Sequence, residues 1–279
     1  MLLLAGDIGG TKTAIAAVSV ERSRLRILRE RQYPSSEYAG LEQIVEDFRS
    51  GWRERPRAAA FGVAGPVRAG RAKVTKLPWV LEEKRLERRL RLPRVRLLND
   101  FAAAALGLPY LQLRQLAVLS AGEAEPGGPI AIIGAGTGLG QAAVAWIAGR
   151  AWPFPSEGGH ADFGPRDDRE DRLLRFLRKR FGRVDRDRLL SGEGLGHLYD
   201  FLAADGFASQ KRAVTRAMTS GDRAAVVTRY GLAGRDRLCS EAVRMFVSIY
   251  GSEAGNLALQ YRATGGVYLA GGIAPKILT

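Results

Sequence analysis

The sequence predicts a mixed α/β protein made of two related domains, residues 1–110 and 111–279. Three observations support this prediction. The chain opens with an apolar strand, a glycine-rich turn and a second strand, and the same arrangement recurs in residues 130–148. From residue 169 to residue 262 the apolar positions follow helical spacing. The second domain should therefore contain most of the helices.

The first domain is predicted to alternate strands and helices. Its strands are expected at residues 2–5, 14–20, 24–33, 58–63 and 95–98, which are apolar runs between glycines, prolines or charged residues. Helices are expected at residues 40–52 and 81–90 and from residue 101 to residue 106. The last of these begins directly after Asn99 and Asp100, which places both residues at a strand-to-helix junction.

The second domain opens with an uncharged stretch, residues 130–149, whose hydropathy is typical of a membrane span. Glycines at every second position from 134 to 140 would destabilise a helix there. The stretch is therefore predicted to be two buried strands joined by a glycine-rich turn, and we expect no membrane partner. A final strand is predicted at residues 266–270, followed by Gly271 and Gly272.

Composition is that of an ordinary globular protein, with 46% hydrophobic and 26% charged residues. The single cysteine, Cys239, excludes an internal disulfide, and no Cys/His spacing typical of zinc sites is present. The apolar start ends at Asp7, which is too short for a signal-peptide core. These features favour a cytoplasmic protein.

The net charge of +14 comes mainly from arginine, since 36 of the 43 basic residues are arginines. One interpretation is a set of solvated, arginine-rich faces. The other is attraction of an anionic ligand or of nucleic acid. No pattern of aromatic residues among the basic ones accompanies the charge, so we expect no nucleic-acid partner.

The first glycine-rich turn, residues 6–13, combines an acidic residue with glycines and a hydroxyl. Asp7 can hold Mg²⁺, directly or through its water shell, because Mg²⁺ usually takes one or two carboxylates together with substrate phosphates. Gly9, Gly10 and the Thr11 hydroxyl can approach phosphate oxygens. The turn is therefore a candidate magnesium and phosphate site.

The second turn, residues 134–140, has glycine at every second position. It matches neither the dinucleotide fingerprint nor the P-loop pattern. It is either a second phosphate-binding turn or a plain glycine-rich hairpin. Two such turns, one opening each domain, favour a nucleotide held between the domains.

Five segments together resemble the motifs of bacterial glucokinases, and the resemblance runs from residue 3 to the end of the chain. The segments are residues 6–12, 98–101, 134–140, 157–160 and 269–273. These kinases share the actin-like, sugar-kinase and heat-shock ATPase fold. The resemblance thus implies two ribonuclease H-like domains around a cleft, with the second domain enlarged by helices.

The resemblance also implies a set of binding residues. ATP would be bound by Gly6, Asp7, Ile8, Gly9, Gly10, Thr11, Gly136, Thr137, Gly138, Gly271 and Gly272, the last two on the adenosine side. Glucose would be bound by Asn99, Asp100, Glu157, His160 and Asp187. The implied reaction is transfer of the γ-phosphoryl group of ATP to D-glucose, giving glucose 6-phosphate.

Asp100 is predicted to be the catalytic base. Phosphoryl transfer depends mostly on positioning and charge stabilisation, with a carboxylate accepting the proton of the nucleophile. The alternative for Asn99 and Asp100 is a simple helix N-cap, for which both residue types are common.

Three departures from the glucokinase pattern leave alternatives open. Asp187 stands where glutamate is usual, and Lys76 stands where asparagine is usual. The chain stops at Thr279, so it should lack the C-terminal strand and helices of related glucokinases. A sugar-binding pseudo-kinase or sensor, or a kinase for another hexose, therefore remains an alternative. The resemblance is also consistent with a homodimer.

Overall fold

In the computed structural model, residues 1–21, 24–52 and 54–278 are described. The chain divides into two units, Met1–Leu116 and Ala117–Thr279. Thr279, where the chain is expected to stop short of the family's last elements, lies outside the described residues.

The first unit contains eight strands and three α-helices among its described residues. The strands are β1 (Leu2–Ile8), β2 (Lys12–Glu21), β3 (Arg24–Pro34), β4 (Ala58–Val63), β5 (Val67–Arg68), β6 (Arg71–Lys73), β7 (Val80–Glu82) and β8 (Val95–Asn99). The helices are α1 (Leu41–Arg49), α2 (Glu83–Leu90) and α3 (Asp100–Gly107), with short 3-10 helices at Ser35–Glu37, Leu108–Tyr110 and Leu113–Gln115.

Five of these strands form the main sheet of the unit in the order β3-β2-β1-β4-β8. β1, β2 and β3 are antiparallel neighbours, whereas β4 runs parallel to β1 and β8 runs parallel to β4. α1 presents Leu41, Ile44 and Phe48 at helical spacing, and all three are fully buried. They pack in one core with Leu4 and Ile8 of β1.

The second unit contains four strands and six α-helices among its described residues. The strands are β9 (Ile130–Ala135), β10 (Leu139–Ile147), β11 (Arg150–Ser156) and β12 (Gly266–Ala270). The helices are α4 (Asp168–Phe181), α5 (Gly192–Ala204), α6 (Arg212–Ser220), α7 (Arg223–Leu232), α8 (Arg237–Tyr261) and α9 (Ala274–Ile277). Short 3-10 helices lie at Gly158–His160 and Arg186–Arg188.

The sheet of this unit has the order β11-β10-β9-β12, with β12 parallel to β9 and the other pairs antiparallel. Side-chain caps fix where the helices begin. Asp167, Ser191 and Asp236 accept backbone N–H groups at the starts of α4, α5 and α8. The apolar faces of these helices form one core with β9.

The hairpin prediction for residues 130–148 is confirmed, because β9 and β10 pair antiparallel along their length. None of the described helices combines the length and apolar character that crossing a membrane requires. The strands predicted at residues 58–63 and 266–270 have the observed bounds. The recurrence is also observed, since β11-β10-β9-β12 repeats the arrangement of β3-β2-β1-β4.

Two other predictions of local structure are wrong. β1 continues to Ile8 instead of ending at residue 5, because Gly6 is packed inside the sheet and does not form a turn. A Cβ atom at Gly6 would lie only 2.7 Å from Phe61 Cδ1. Residues 81 and 82 belong to β7, so the predicted second helix begins at Glu83.

Candidate active site

The carboxyl edge of the first sheet brings three chain segments together. Asp7 of β1 pairs with Gly62 of β4, and Gly62 pairs with Leu98 of β8. Because these strands are parallel, Asn99 and Asp100 leave the sheet at the same edge as Asp7, with neighbouring strands roughly 5 Å apart. A groove of about 380 Å³ is lined by Asp7, Gly62 and Leu98 among others.

The first glycine turn is held by hydroxyl groups. The N–H of Gly9 donates to the Lys12 carbonyl at 3.0 Å. Ser35 donates its N–H to the Thr11 carbonyl at 3.0 Å and its Oγ–H to the Gly9 carbonyl at 2.8 Å. Thr13 Oγ1 lies 2.9 Å from Ser35 Oγ in a buried contact. Nothing in the local sequence indicates this role for Ser35, because its partners lie more than twenty residues earlier.

Gly10 packs against a neighbouring loop. A Cβ atom at this position would lie 2.4 Å from the Thr75 carbonyl oxygen, so a larger residue would displace backbone. The Thr75 N–H donates to the Ala64 carbonyl at 2.9 Å, which anchors the loop. The next residue, Lys76, has a left-handed φ of 66°. The residue that departs from the family pattern therefore adjoins the first glycine turn.

Asn99 and Asp100 have different local roles. Asn99 Oδ1 accepts the Ala102 N–H at 3.1 Å and so caps α3, while its Nδ2 donates to the Gly65 carbonyl at 3.3 Å. Asp100, the first residue of α3, accepts the Phe101 N–H at 2.9 Å through Oδ1 and is half-buried. The cap is thus made by Asn99, and a helix start favours the ionised form of a carboxylate.

Asp7 is the candidate magnesium ligand. Asp7 is exposed at the surface, but the surrounding protein removes much of the hydration of its carboxyl group. This desolvation raises the pKa of Asp7. A divalent cation beside the carboxylate would oppose that effect. An oxygen donor of this kind also suits Mg²⁺, so the residue fits the ion.

The second glycine turn is held by a carboxylate. Asp187 Oδ1 accepts the N–H of Leu139 at 2.6 Å, and a Cβ atom at Gly138 would lie 2.6 Å from the same oxygen. Gly136 donates to the Gly138 carbonyl and accepts the N–H of Gly192, both at 2.9 Å. Asp187, predicted to bind the sugar, therefore contacts the predicted phosphate turn. This contact could not be inferred from residues 48 positions apart.

The loop that carries Glu157 and His160 packs tightly on β10. A Cβ atom at Gly158 would lie 2.1 Å from Gln141 Oε1, and one at Gly159 would lie 2.1 Å from the Leu139 carbonyl oxygen. A side chain at Gly159 would therefore displace the backbone of β10, whereas one at Gly158 would displace the Gln141 amide. Glu157 and His160 remain exposed at its ends.

A third glycine turn, Gly271 and Gly272, lies beside the second one. Gly271 follows β12 with a φ of 81°, and a Cβ atom there would lie 2.3 Å from the Ala135 carbonyl oxygen. The Tyr250 hydroxyl donates to the Ile133 carbonyl at 3.0 Å and accepts the Ala135 N–H at 3.3 Å. Burial raises the pKa of Tyr250 to about 12. This tyrosine, which the sequence does not single out, supports the strand that leads into the second turn.

One group of residues in the described part of the chain has the spacing of a metal site. Ligating atoms of His160, Asp185 and Asp187 lie within 4.8 Å of one another. Asp185 already accepts the Arg188 N–H at 3.1 Å and contacts His160 Nδ1 at 3.1 Å. Asp187 accepts the Leu139 N–H, so the carboxylates of Asp185 and Asp187 both already have partners within the protein.

The predicted site residues form two groups, one in each unit. In the first unit, the first glycine turn, Asn99 and Asp100 all lie at the carboxyl edge of the main sheet. In the second unit, the second and third glycine turns lie at the ends of β9 and β12. Asp187 contacts the second turn, and Asp185, two residues earlier, contacts His160. The binding and catalytic roles of these residues stay predictions.

A family model described as Glucokinase matches residues 4–279. The glucokinase of Nostoc sp. (strain PCC 7120 / SAG 25.82 / UTEX 2576) is 41% identical over 293 residues, covering 99% of this chain and 86% of the relative. The glucokinase of Synechocystis sp. (strain ATCC 27184 / PCC 6803 / Kazusa) is 39% identical over 300 residues, covering 99% and 84%.

Solved structures give the same family. The crystal structure of a glucokinase from an Antarctic psychrotroph is similar to this chain with a TM-score of 0.86 and 31% sequence identity. The match covers 99% of this chain and 86% of that one.

Proposed function

The chain belongs to the glucokinase family, and from that membership we propose that it transfers the γ-phosphoryl group of ATP to the 6-hydroxyl of D-glucose. The products are ADP and glucose 6-phosphate, and the reaction is the first step of glycolysis. The observation that carries this proposal is the position of Asp100 at the same sheet edge as Asp7, in a chain that matches the family from residue 4 onward.

Asp100 is proposed to accept the proton of the sugar 6-hydroxyl as that oxygen attacks the γ-phosphorus. A positioned base of this kind contributes roughly 10²–10⁴ in rate. Its place at the start of α3 favours the ionised form, which the role requires. Asn99 holds the helix start by capping it, so Asp100 does not have to serve as the cap.

The glycine turns are proposed to bind the nucleotide. Gly9, Gly10 and Thr11 of the first unit, and the turn around Thr137 of the second unit, would contact phosphates through backbone N–H and hydroxyl groups. Gly271 and Gly272 would lie against the adenosine. Asp7 would hold Mg²⁺, which neutralises phosphate charge when bound.

Glu157, His160 and Asn99 are proposed to bind the sugar hydroxyls, because carboxylate, imidazole and amide groups each suit hydroxyl recognition. Asp187 is proposed to reach the sugar mainly through its second oxygen, because Oδ1 already accepts the Leu139 N–H. The proposal also includes the predicted pair of ribonuclease H-like domains. We further propose a cytoplasmic location, where ATP is available, and a homodimer remains a prediction.

The test is Asp100→Asn, which keeps the shape of the side chain and removes the base. We expect kcat to fall by at least 100-fold, while calorimetry still detects glucose binding. The matched control is Asp168→Asn, because Asp168 is the first residue of α4 as Asp100 is of α3. Undiminished turnover in the Asp100 variant would remove this residue from the mechanism.

Two alternatives are separated by the same assay. An ADP-release measurement over glucose, mannose, fructose and N-acetylhexosamines identifies the preferred hexose. The preference has to be measured because Asp187, predicted to bind the sugar, also contacts the second glycine turn. Glucose binding without ADP formation in the unaltered chain would instead indicate a sugar sensor.

A further inference from the structure

A buried polar network lies beneath the loop that carries Glu157 and His160. At its centre is Glu253 of α8, whose side chain is 4% exposed. Its carboxylate accepts Arg186 Nε at 2.8 Å, Gln141 Nε2 at 2.8 Å and Asn256 Nδ2 at 3.1 Å. Gln141 is 2% exposed. None of these four residues belongs to the proposed catalytic or binding set.

The network joins three separate elements of the second unit. Gln141 lies on β10, directly after the second glycine turn, and Glu253 lies on α8. Arg186 begins the 3-10 helix Arg186–Arg188, and its Nη1 also approaches the Gly158 carbonyl at 3.4 Å. The Gln141 side chain itself lies against Gly158. Arg186 and Gln141 therefore both contact the loop at Gly158.

The neighbours of Arg186 in the chain extend these contacts to the site. Asp185 contacts His160 Nδ1 at 3.1 Å, and Asp187 accepts the Leu139 N–H at 2.6 Å. Three consecutive residues thus make three different contacts. The first contacts His160, which is predicted to bind the sugar, the second contacts the buried Glu253, and the third contacts the second glycine turn. A shift of this short helix would move His160 relative to the turn.

A buried ion pair is suited to fixing such a position. Removing one partner leaves an uncompensated buried charge, whereas removing both charges relieves that penalty. The attraction between Arg186 and Glu253 therefore holds the 3-10 helix at one place along β10 and α8. A purely apolar contact would permit more sliding, because it is not directional.

We infer that the Arg186–Glu253–Gln141 network positions the Glu157–His160 loop against the second glycine turn and thereby sets the affinity for the sugar. Arg186 is a positioning residue and does not contact the reacting atoms. This inference rests on the proposed function. It predicts that the network controls KM for the hexose more than kcat or KM for ATP.

The first experiment compares Arg186→Met and Glu253→Gln with the unaltered chain. We expect each variant to raise KM for glucose at least tenfold, while kcat and KM for ATP change less than about threefold. The matched controls are Arg172→Met and Asp205→Asn, which remove an exposed ion pair of similar length in the same unit. These controls should leave all three constants unchanged.

The double variant Arg186→Met/Glu253→Gln separates positioning from folding. Removing both charges should restore the melting temperature that the single variants lose, and KM for glucose should nevertheless stay raised. If KM returned to its original value together with the melting temperature, the network would be only structural and the inference would be overturned.

A second readout does not depend on activity. The chain has two histidines, so the imidazole resonance of His160 in a proton NMR spectrum can be assigned with His160→Gln. We expect this resonance to move in both single variants and in the double variant, but not in Arg172→Met. An unmoved resonance in the three network variants would overturn the inference. If the unaltered chain turned over no hexose but the His160 resonance moved in the network variants, that result would count against the proposed function and not against this inference.

Discussion

Asp7 and Asp187 each lie beside a glycine-rich turn, yet the protein uses their carboxyl groups differently. Asp7 stays exposed, and loss of hydration raises its pKa. Asp187 accepts the N–H of the buried Leu139 at 2.6 Å. The first carboxylate therefore costs stability in the absence of a cation, whereas the second contributes stability without any ligand.

The means of holding the two turns explain this difference. The first turn is fixed by the neutral hydroxyls of Ser35 and Thr13, so Asp7 is not needed to hold it. The second turn is fixed by the charged side chain of Asp187, which reaches it from a distant 3-10 helix. The comparison teaches that an acidic residue beside a phosphate turn has to be assigned from its partners.

The largest effect that tests this comparison is expected from Asp7→Asn. The substitution should lower kcat/KM for MgATP at least 100-fold, because an amide is a poor substitute for a carboxylate that holds Mg²⁺. The same variant should melt at a higher temperature than the unaltered chain without ligands at pH 7. Steady-state kinetics and differential scanning fluorimetry measure the two quantities.

The pH dependence of that gain follows from the direction of the pKa shift. A raised pKa of Asp7 in the folded state means that stability is lost as pH rises from the ordinary value of 3.8 through the raised one. The advantage of Asp7→Asn should therefore be present at pH 7 and absent at pH 3. A variant that melted lower at pH 7 would show that Asp7 stabilises the folded protein.

A smaller effect is expected from Asp187→Ala, which leaves the Leu139 N–H without its acceptor. The free energy of unfolding should fall by about 1–3 kcal/mol in urea titrations. Asp187→Asn keeps an acceptor oxygen and should lose less.

Gly138→Ala supplies a further check, since its added Cβ meets only the Asp187 side chain. It should cost less in the Asp187→Ala background, and an equal cost in both would contradict the contact.

The smallest effect is expected from Lys76→Asn, next to the first turn. Lys76 adopts a left-handed φ of 66°, a region in which asparagine is enriched. The substitution should stabilise the protein by about 1 kcal/mol. Lys73→Asn, at an exposed residue in the extended strand β6, should give no such gain. Equal melting temperatures for Lys76→Asn and the unaltered chain would count against strain at this residue.

Local patterns were sufficient for strands that are apolar runs closed by residues typical of turns. β4 and β12 could be predicted to the residue because Ala64-Gly65-Pro66 closes the first run and Gly271-Gly272 closes the second. The end of β1 could not be predicted, because Gly6 is required by the close packing of Phe61 on the adjacent strand and not by a turn. A glycine selected by packing looks the same in a sequence as one selected by a turn.

The rest of the site could not be predicted because it depends on partners that are distant in sequence. β11 contains Pro153 and Pro155, which disfavour a strand unless it lies at an edge, and only the sheet shows that it does. The same applies to Ser35, whose hydroxyl reaches back to the first turn. Asp187 could be identified as a site residue by resemblance, but its bond to Leu139 joins residues 48 positions apart and depends on the folded arrangement.

The close approach of the loop Gly158–His160 to β10 has a consequence for changing which sugar the protein accepts. A side chain at position 159 would collide with the Leu139 carbonyl, and one at position 158 would displace the buried Gln141 side chain. A saturation library that randomised the whole loop would waste most of its members on misfolded chains. Diversity at Glu157 and His160, with both glycines held constant, would keep nearly every clone able to be screened.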